Sequence, residues 1–300
     1  MYLSRIEAVC RERGIFCEEN HVLAPNTSMK IGGPCDLFVK VTDEEQLCAV
    51  LGLCRSENIP YFILGRGSNL LVSSGGFRGC VIALSSENPA VEVCGNTVTA
   101  WAGATLHSLC IAALDNSLTG LEFAYGIPGS AGGALFMNAG AYGGEMKDIV
   151  KSCRYIDESG ALREMEAPEM ELSYRSSVFQ KRGCVITSLT LELKPGEKSA
   201  IKARMDELMQ RRRDKQPLEF PSCGSTFKRP EGYFAAALIE ECGLKGYTVG
   251  GAQVSEKHSG FVINRGGASY EDVMAVVNEV KRVVLEKKGV ALECEMLVLK

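Results

Sequence analysis

Three segments place a polar side chain with chemical potential inside sequence that is otherwise apolar. Arg175 stands between apolar positions, and Ser225 follows a glycine on a constrained turn. Glu293 and Glu295 share one face of a predicted C-terminal strand. A buried arginine needs a carboxylate or phosphate partner, and a buried carboxylate needs a partner as well. Each segment therefore indicates either a reactive site or a structural salt bridge or capped turn.

A second feature is the glycine-rich stretch 120–144, which also carries aromatic and aliphatic residues. A solvated linker would lack those apolar residues, so this backbone is expected to be packed. Closely packed glycines can present N–H groups to an anion or let a flat ring lie on the main chain. The stretch predicts a site for a phosphate-bearing cofactor. The alternative is a set of tight turns and close strand crossings.

The loop 65–69 follows the predicted strand 60–64, at the strand edge where α/β sheets place ligands. It does not match G-x-G-x-x-G, because position 70 is Leu70, and the chain has no G-K-[ST] for a P-loop. A hairpin turn before the strand 70–72 is the alternative interpretation.

Composition limits the classes of function. The 300 residues are 46% hydrophobic and 23% charged with a net charge of −4, which is typical of a globular protein and disfavours a nucleic-acid partner. The N-terminus has no apolar signal region, and no run of eighteen apolar residues follows, so we expect a cytoplasmic protein without membrane insertion. Thirteen scattered cysteines without C-x-x-C spacing and three histidines predict buried thiols and no metal centre.

Several elements can be predicted from hydrophobic spacing. A helix is expected to reach about Arg13, and the strand 36–41 precedes a capping box at Thr42 and Glu45 that begins a helix to about Glu57. With the strand 60–64 these elements form a β-α-β unit. The buried face of that helix is predicted at i, i+3, i+4 and i+7 spacing, comprising Leu47, Val50, Leu51 and Cys54.

The pattern from 80 to 195 is α+β, with short strands interrupted by helices near 105–116 and 130–138. The turn at 194–198 predicts a domain boundary, and a long helix to Lys215 follows, either as a solvated face or as a basic end that attracts a phosphorylated ligand. A second capping box at Ser269 begins a helix with a valine face, which should pack on strands at 262–263 and 291–299.

Taken together, the motifs of the chain resemble those of the UDP-N-acetylenolpyruvoylglucosamine reductases, in order and spacing, from about residue 20 onward. The motifs that carry the resemblance are Asn26–Pro34, Gly65–Leu71, Gly126–Gly133, Met137–Tyr142, Tyr174-Arg175-x-Ser177, Gly224–Phe227, Gly250–Phe261 and Leu292-x-Cys-Glu295.

The resemblance implies the vanillyl-alcohol-oxidase/PCMH-type FAD-binding fold, built from two α/β subdomains, plus a C-terminal α/β substrate-binding domain. The implied domains are 1–84, with 291–300 possible as a returning strand, then 85–197 and 198–290. Only eight residues, 176–183, separate Tyr174-Arg175 from Cys184, so the chain resembles the short form of the family, without the insertion that closes over substrate.

The implied activity is the reduction of UDP-N-acetylglucosamine enolpyruvate to UDP-N-acetylmuramate for peptidoglycan synthesis, with NADPH as reductant, FAD as cofactor and a monomer as the expected state. By position, Ser225 is the implied proton donor, while Arg175 and Glu295 stabilise the developing negative charge. Cys223 is a rival donor, with packing as its alternative role.

The resemblance also implies cofactor and substrate contacts. FAD is expected to be non-covalent, because 66–76 contains no histidine. The implied cofactor residues are Gly65, Arg66, Gly67, Ser68, Asn69, Leu70, Gly126, Ile127, Pro128, Gly129, Ser130, Gly132, Gly133, Asn138, Ala139, Gly140, Ala141 and Tyr142. The implied substrate residues are Tyr174, Lys215, Lys228, Gln253 and His258. For His258, a satisfied turn histidine is an equal alternative.

Two other functions are compatible with the same glycine loops. One is an FAD-dependent oxidase of this fold with another substrate, and the other is a non-catalytic protein that binds flavin or a nucleotide sugar. The set Arg175, Ser225 and Glu295 argues against both, because neither would need a proton donor beside paired charges.

Overall fold

The computed structural model of the chain describes residues 3–85 and 91–300. Residues 1, 2 and 86–90, which belong to the first two predicted domains, lie outside the described residues. Within the described ranges, no helix combines the length and apolar character needed to cross a membrane.

The secondary structure alternates between short strands and helices along the whole chain. The α-helices are α1 (Ser4–Arg13), α2 (Glu44–Ser56), α3 (Leu106–Asp115), α4 (Ala131–Phe136), α5 (Lys198–Lys215), α6 (Ala235–Glu241) and α7 (Tyr270–Lys288). The strands are β1 (Phe16–Glu19), β2 (Cys35–Val41), β3 (Tyr61–Leu64), β4 (Leu70–Val72), β5 (Phe77–Leu84), β6 (Val91–Cys94), β7 (Thr97–Trp101), β8 (Leu118–Thr119), β9 (Gly140–Ala141), β10 (Gly144–Glu145), β11 (Val150–Ile156), β12 (Leu162–Glu166), β13 (Val185–Glu192), β14 (Lys194–Pro195), β15 (Thr248–Val249), β16 (Ala252–Val254), β17 (Val262–Asn264) and β18 (Leu297–Leu299).

The chain packs into two compact units, each assembled from separate segments. Unit 1 comprises residues 1–19, 37–66 and 79–211, and unit 2 comprises 20–36, 67–78 and 212–300.

The boundary after Arg211 falls inside α5. Ile201 and Met205, on the first part of that helix, are buried in the core of unit 1. The three-domain division from sequence is a different partition, with its last boundary before α5, and it stays a prediction.

Unit 1 contains two main sheets. The first has the strand order β1-β2-β5-β3, in which β3 pairs parallel with β5 and β1 pairs antiparallel with β2. The second has the order β12-β11-β13-β7-β6 and is antiparallel throughout. The predicted strands β2 and β3 are therefore separated by β5, which sequence spacing did not indicate.

Helix α2 illustrates what spacing predicts well and what it does not. Its predicted apolar face is confirmed, because Leu47, Val50, Leu51 and Cys54 are all buried. The predicted capping box is wrong: Asp43 is the N-cap, and its carboxylate accepts from Gln46 N at 2.9 Å. Two adjacent residues could both cap, and the carboxylate occupies the position one residue later.

Unit 2 is organised around α7 and the antiparallel sheet β15-β16-β17. The second predicted capping box is confirmed, because Ser269 and Asp272 exchange side-chain to main-chain hydrogen bonds. The predicted valine face of α7 lies in the core of unit 2, and burial of each valine contributes about 1.5 kcal/mol or more. The buried valines of that face are Val273, Val276, Val277, Val280 and Val284.

The predicted C-terminal strand is wrong in extent. Only β18 is a strand, and it pairs parallel with β4, so that Leu297 lies opposite Leu70. The preceding residues 291–296 contribute one isolated antiparallel bridge, Phe227 with Cys294. Glu293 and Glu295 therefore lie before the strand rather than on one of its faces.

Candidate functional site

In unit 1 the two predicted glycine loops touch each other. Gly65 follows β3, and Ser130 precedes α4. A Cβ placed on Gly65 would lie 2.3 Å from Ser130 Oγ, which no real contact allows. The absence of a side chain at Gly65 thus permits the loop that begins there to lie against the loop 126–133.

The start of α4 is fixed by packing and by a side-chain cap. Ser130 Oγ accepts from Gly133 N at 3.3 Å, which caps the helix. Gly132 N donates to Ala102 O at 2.9 Å, and a Cβ on Gly132 would lie 2.7 Å from Ala102 Cβ. Gly132 is thus needed for close packing, whereas the loop before it is partly exposed. The exposed or half-buried residues of that loop are Gly126, Ile127, Pro128 and Gly129, and Gly133 on α4 is exposed as well.

The segment that follows α4 enters a tight hairpin between β9 and β10. Its two turn residues, Tyr142 and Gly143, have φ of 53° and 90°, as a two-residue type I′ turn requires. The hairpin carries Gly140 and Ala141, both half-buried, and half-buried Ala139 precedes it. This places the main chain of 139–142 at the surface of unit 1.

Asn138 is a structural centre of this segment. It is fully buried with φ 41°, and its amide nitrogen donates to Glu145 Oε2 at 2.8 Å and to Ser173 O at 2.9 Å. Its amide oxygen accepts from Lys147 N at 2.9 Å. The side chain is engaged within the protein, and so is the main-chain N–H, which donates to Leu135 O at 3.0 Å. The predicted cofactor role of Asn138 therefore stays a prediction.

Arg175 is the predicted reactive residue of unit 1. It is half-buried, and its φ of 53° lies in the left-handed region that non-glycine residues rarely adopt. Its guanidinium donates to Gly140 O at 3.3 Å and lies 5.1 Å from the ring centroid of Tyr174. The hydrogen bond to Gly140 O connects Arg175 to the hairpin. A strained backbone at a half-buried cation is a feature found at functional sites.

The predicted cofactor loop 65–70 continues into unit 2 at Gly67. Gly67 has φ 60°, and a Cβ there would lie 2.2 Å from Asn26 O, so glycine is required by both space and conformation. Asn69 anchors the C-terminal segment: its amide donates to Glu295 O at 3.0 Å, and its carbonyl accepts from Leu297 N at 2.9 Å. The sequence analysis predicted a cofactor role for Asn69 and did not predict that it anchors the C-terminal segment.

Within unit 2 the structure brings together the two segments that carry the predicted proton donor and the predicted carboxylate. The bridge between Phe227 and Cys294 aligns two segments, so that Glu295 N donates to Thr226 O at 2.8 Å. Ser225 immediately precedes Thr226 and is exposed. It follows Gly224, whose φ is 73°. Glu295 is half-buried and is held at its main-chain N–H and at its carbonyl. Arg175 belongs to unit 1.

Cys223, the rival proton donor, is buried. Its thiol is 3% exposed and donates to Leu70 O at 3.2 Å, and burial raises the pKa of the thiol to about 12. A thiol that is withdrawn from solvent and poorly acidic suits packing rather than proton delivery.

The predicted substrate residues differ in how much of each side chain the protein already uses. Tyr174 is 48% exposed, and Lys215 is exposed on the last turn of α5. Lys228 is half-buried and forms an ion pair with Glu293 at 3.3 Å. Gln253 is buried and donates to Thr248 Oγ1 at 2.9 Å and to Gly246 O at 3.3 Å.

His258 is engaged inside unit 2. Its Nδ1 accepts from Gly260 N at 3.2 Å, and its ring packs edge-on against Phe261 with centroids 4.9 Å apart. Burial lowers the pKa of the imidazole below its ordinary value of 6.5. These contacts fit the turn role, and the substrate role stays a prediction.

The sequence analysis did not identify Thr226, which lies between Ser225 and Phe227. It is 0% exposed, and its hydroxyl and both main-chain polar groups are hydrogen-bonded. The sequence offers no local signal for it, because burial of a single hydroxyl among other polar residues shows only in the folded structure.

The loops suit an anionic dinucleotide cofactor. Neither 65–70 nor 126–133 contains an acidic residue, and Arg66 adds an exposed cation. A Cβ on Gly129 would meet no atom closer than Leu106 Cδ1 at 3.4 Å, so the protein itself leaves room there. Partly exposed glycines with little steric obstruction and no negative side chain nearby suit a pyrophosphate.

Comparison with known proteins agrees with this geometry. A family model described as an FAD binding domain matches residues 35–166. The protein is therefore a flavin-binding protein, and its FAD-binding domain is the one that the resemblance implied. A second family model, the C-terminal domain of UDP-N-acetylenolpyruvoylglucosamine reductase, matches residues 216–299. The chain belongs to the UDP-N-acetylenolpyruvoylglucosamine reductase family.

Individual relatives support the same assignment over most of the chain. The reductase of Clostridium perfringens is 53% identical over 90% of this chain and 88% of its own length. That of Lachnoclostridium phytofermentans is 50% identical over 98% of this chain and 96% of its own length. The solved reductase of Thermus caldophilus, 35% identical, superimposes with a TM-score of 0.83, covering 95% of this chain and all of the other.

The prediction of an FAD-dependent oxidoreductase of peptidoglycan precursor synthesis is thereby confirmed. Residues 176–183 contain a single turn of 3-10 helix, Val178–Gln180, and the assignment to the short form stays a prediction.

Proposed function

We propose that the protein uses NADPH to reduce UDP-N-acetylglucosamine enolpyruvate to UDP-N-acetylmuramate. The names of the relatives and the glycine loops support the nucleotide-sugar substrate and the cofactor. Non-covalent FAD, held by main-chain groups of 65–70, 126–133 and 139–142, would supply hydride transfer from NADPH to the enolpyruvyl carbon. The absence of histidine from 66–76 supports non-covalent attachment.

The protein's own residues must manage charge and a proton. Addition of hydride to the terminal carbon of the enolpyruvyl group builds negative charge on the adjacent carbon and its carboxylate. Arg175 is suited to stabilise that charge, because a guanidinium matches a carboxylate and its hydrogen bond to Gly140 O holds it in place. Glu295 is the proposed second charged group of the site.

Ser225 is the proposed proton donor. The observation that carries this assignment is the main-chain pairing of 226 with 295, which sets an exposed hydroxyl beside a carboxylate-bearing segment within one unit. A serine hydroxyl is a poor acid in water, so its neighbours must support transient alkoxide character. The buried thiol of Cys223 lacks both access and acidity.

The test separates the two half-reactions. The purified protein should show a flavin spectrum that NADPH bleaches in stopped flow, and added UDP-N-acetylglucosamine enolpyruvate should restore it. A colourless protein would contradict the proposed function. Flavin that NADPH reduces and the enolpyruvyl sugar does not reoxidise would instead favour an oxidase of the same fold.

A matched pair of variants tests the donor. Ser225→Ala should leave flavin reduction by NADPH nearly intact and slow reoxidation by several orders of magnitude, roughly 10²–10⁴-fold for a lost acid catalyst. Cys223→Ser keeps a donor toward Leu70 O and should leave reoxidation within a few-fold of wild type. Equal loss of both half-reactions in Ser225→Ala would make Ser225 a structural residue.

A further inference from the structure

Thr226 makes hydrogen bonds to two other segments of unit 2, residues 260–262 and the segment of Glu295. Its N–H donates to Gly260 O at 2.8 Å, and its hydroxyl accepts from Val262 N at 3.0 Å. Its carbonyl accepts from Glu295 N at 2.8 Å. One fully buried residue thus connects the start of β17, the segment of Ser225 and the segment of Glu295.

The residue before Thr226 has little else to hold it. Ser225 is exposed and follows Gly224, where a Cβ would meet no atom within 4 Å and where φ is 73°. Position 224 has no side chain to pack, so Gly224 itself adds no contact that fixes the direction of the serine hydroxyl. The main-chain and side-chain bonds of Thr226 to 260–262 provide that fixation on the C-terminal side.

Glu295 depends on the same residue. Its main chain is held at the N–H by Thr226 O and at the carbonyl by the amide of Asn69, at 2.8 and 3.0 Å. Displacement of Thr226 would therefore move both Ser225 and Glu295, whereas displacement of Asn69 would disturb Glu295 and the proposed cofactor loop. Thr226 is the position at which the proton donor can be disturbed without altering a predicted cofactor residue.

We propose that Thr226 is a positioning residue for the second half-reaction, whose hydroxyl holds Ser225 and Glu295 in the geometry needed for proton delivery. This inference rests on the proposed function, and in particular on Ser225 as the donor. The hydroxyl acts by accepting the hydrogen bond of Val262 N–H. When the hydroxyl is removed, that buried donor has lost this partner, and the position of Thr226 is no longer fixed on that side.

The test compares Thr226→Val with Thr226→Ser. Valine preserves shape and removes the acceptor for Val262 N, whereas serine keeps it. We expect Thr226→Val to reoxidise NADPH-reduced flavin about tenfold more slowly, with a larger solvent deuterium isotope effect. Flavin reduction and FAD content should stay within about twofold of wild type, and Thr226→Ser should recover most of the lost rate.

Each result decides between roles. Loss of FAD content or of both half-reactions in Thr226→Val would show a merely structural residue and overturn the inference. Unchanged reoxidation in Thr226→Val would overturn it as well, and so would failure of serine to restore the rate. If wild-type reduced flavin is not reoxidised by the enolpyruvyl sugar, the proposed function fails instead.

Discussion

The contact between Gly65 and Ser130 can be tested by a double-mutant cycle within unit 1. A Cβ at position 65 would lie 2.3 Å from Ser130 Oγ but 3.4 Å from Ser130 Cβ. The clash therefore involves the hydroxyl oxygen alone, which can rotate away only by giving up its bond to Gly133 N. Loss of an N-cap typically costs about 1 kcal/mol.

The cycle follows from that geometry. Gly65→Ala should lower the free energy of unfolding by about 1 kcal/mol through the lost cap, and Ser130→Ala by a similar amount. The double variant should cost about as much as Ser130→Ala alone, since the added methyl group then meets only a Cβ at contact distance. The expected coupling energy is thus about 1 kcal/mol in favour of the pair.

The assay is urea unfolding at two fixed FAD concentrations. The difference between them separates the stabilisation by bound cofactor from the free energy of unfolding of the protein without cofactor. FAD content should fall in Gly65→Ala, because the altered residue lies in the proposed cofactor loop. Additivity of the two substitutions within about 0.3–0.5 kcal/mol would refute the contact between the loops.

Three further predictions concern other positions. Gly129→Val should lose FAD with little change in the free energy of unfolding, because a Cβ there would lie 3.4 Å from its nearest neighbour. Gly132→Val should instead lower the free energy of unfolding first, because its Cβ would lie 2.7 Å from Ala102 Cβ. Full FAD retention in Gly129→Val would favour a tight-turn role for this glycine. Burial lowers the pKa of His258, so protonation of this residue favours the unfolded state. Wild type should therefore lose more stability than His258→Asn as the pH falls through 6.5. Equal changes in the melting temperature of the two proteins from about pH 7.5 to about pH 5.5 would contradict this. Gly52 is exposed in the interior of α2, and a Cβ there would meet no atom within 4 Å. Gly52→Ala should therefore raise the free energy of unfolding, measured by urea titration, by about 0.5–1 kcal/mol. A decrease would show an unrecognised contact.

Local features of the fold could be predicted from sequence because their causes are local. The capping box at Ser269 and the valine spacing of α7 involve residues within a few turns of one another, and both are confirmed. The cap of α2 was wrong by one residue, because Thr42 and Asp43 are adjacent potential caps and only the backbone conformation decides between them. Alternating residues before β18 resembled a strand, but β4 offers only three residues for pairing.

The candidate site was predictable in its residue types and less so in its connections. The glycine loops and Ser225 stood out because glycine and a polar group in apolar sequence are unusual. The pairing of 226 with 295 joins segments far apart in the chain, and no local pattern encodes such a contact. For the same reason the hydrogen bonds of Asn138 and Asn69 within the protein were not foreseen.

The parallel pair β4–β18 has a consequence for synthesis on the ribosome. Unit 1 has all of its segments once residue 211 has been made, but unit 2 needs Leu297–Leu299 to complete the strand pair with Leu70–Val72. At about 5–20 residues per second, the roughly 225 residues between β4 and β18 take roughly 11–45 s, and the early segment lacks its strand partner for that time. Met29, Ile31 and Leu71, all core residues of unit 2, also await the later residues of the same core. Such transiently exposed apolar side chains favour aggregation of an incomplete chain.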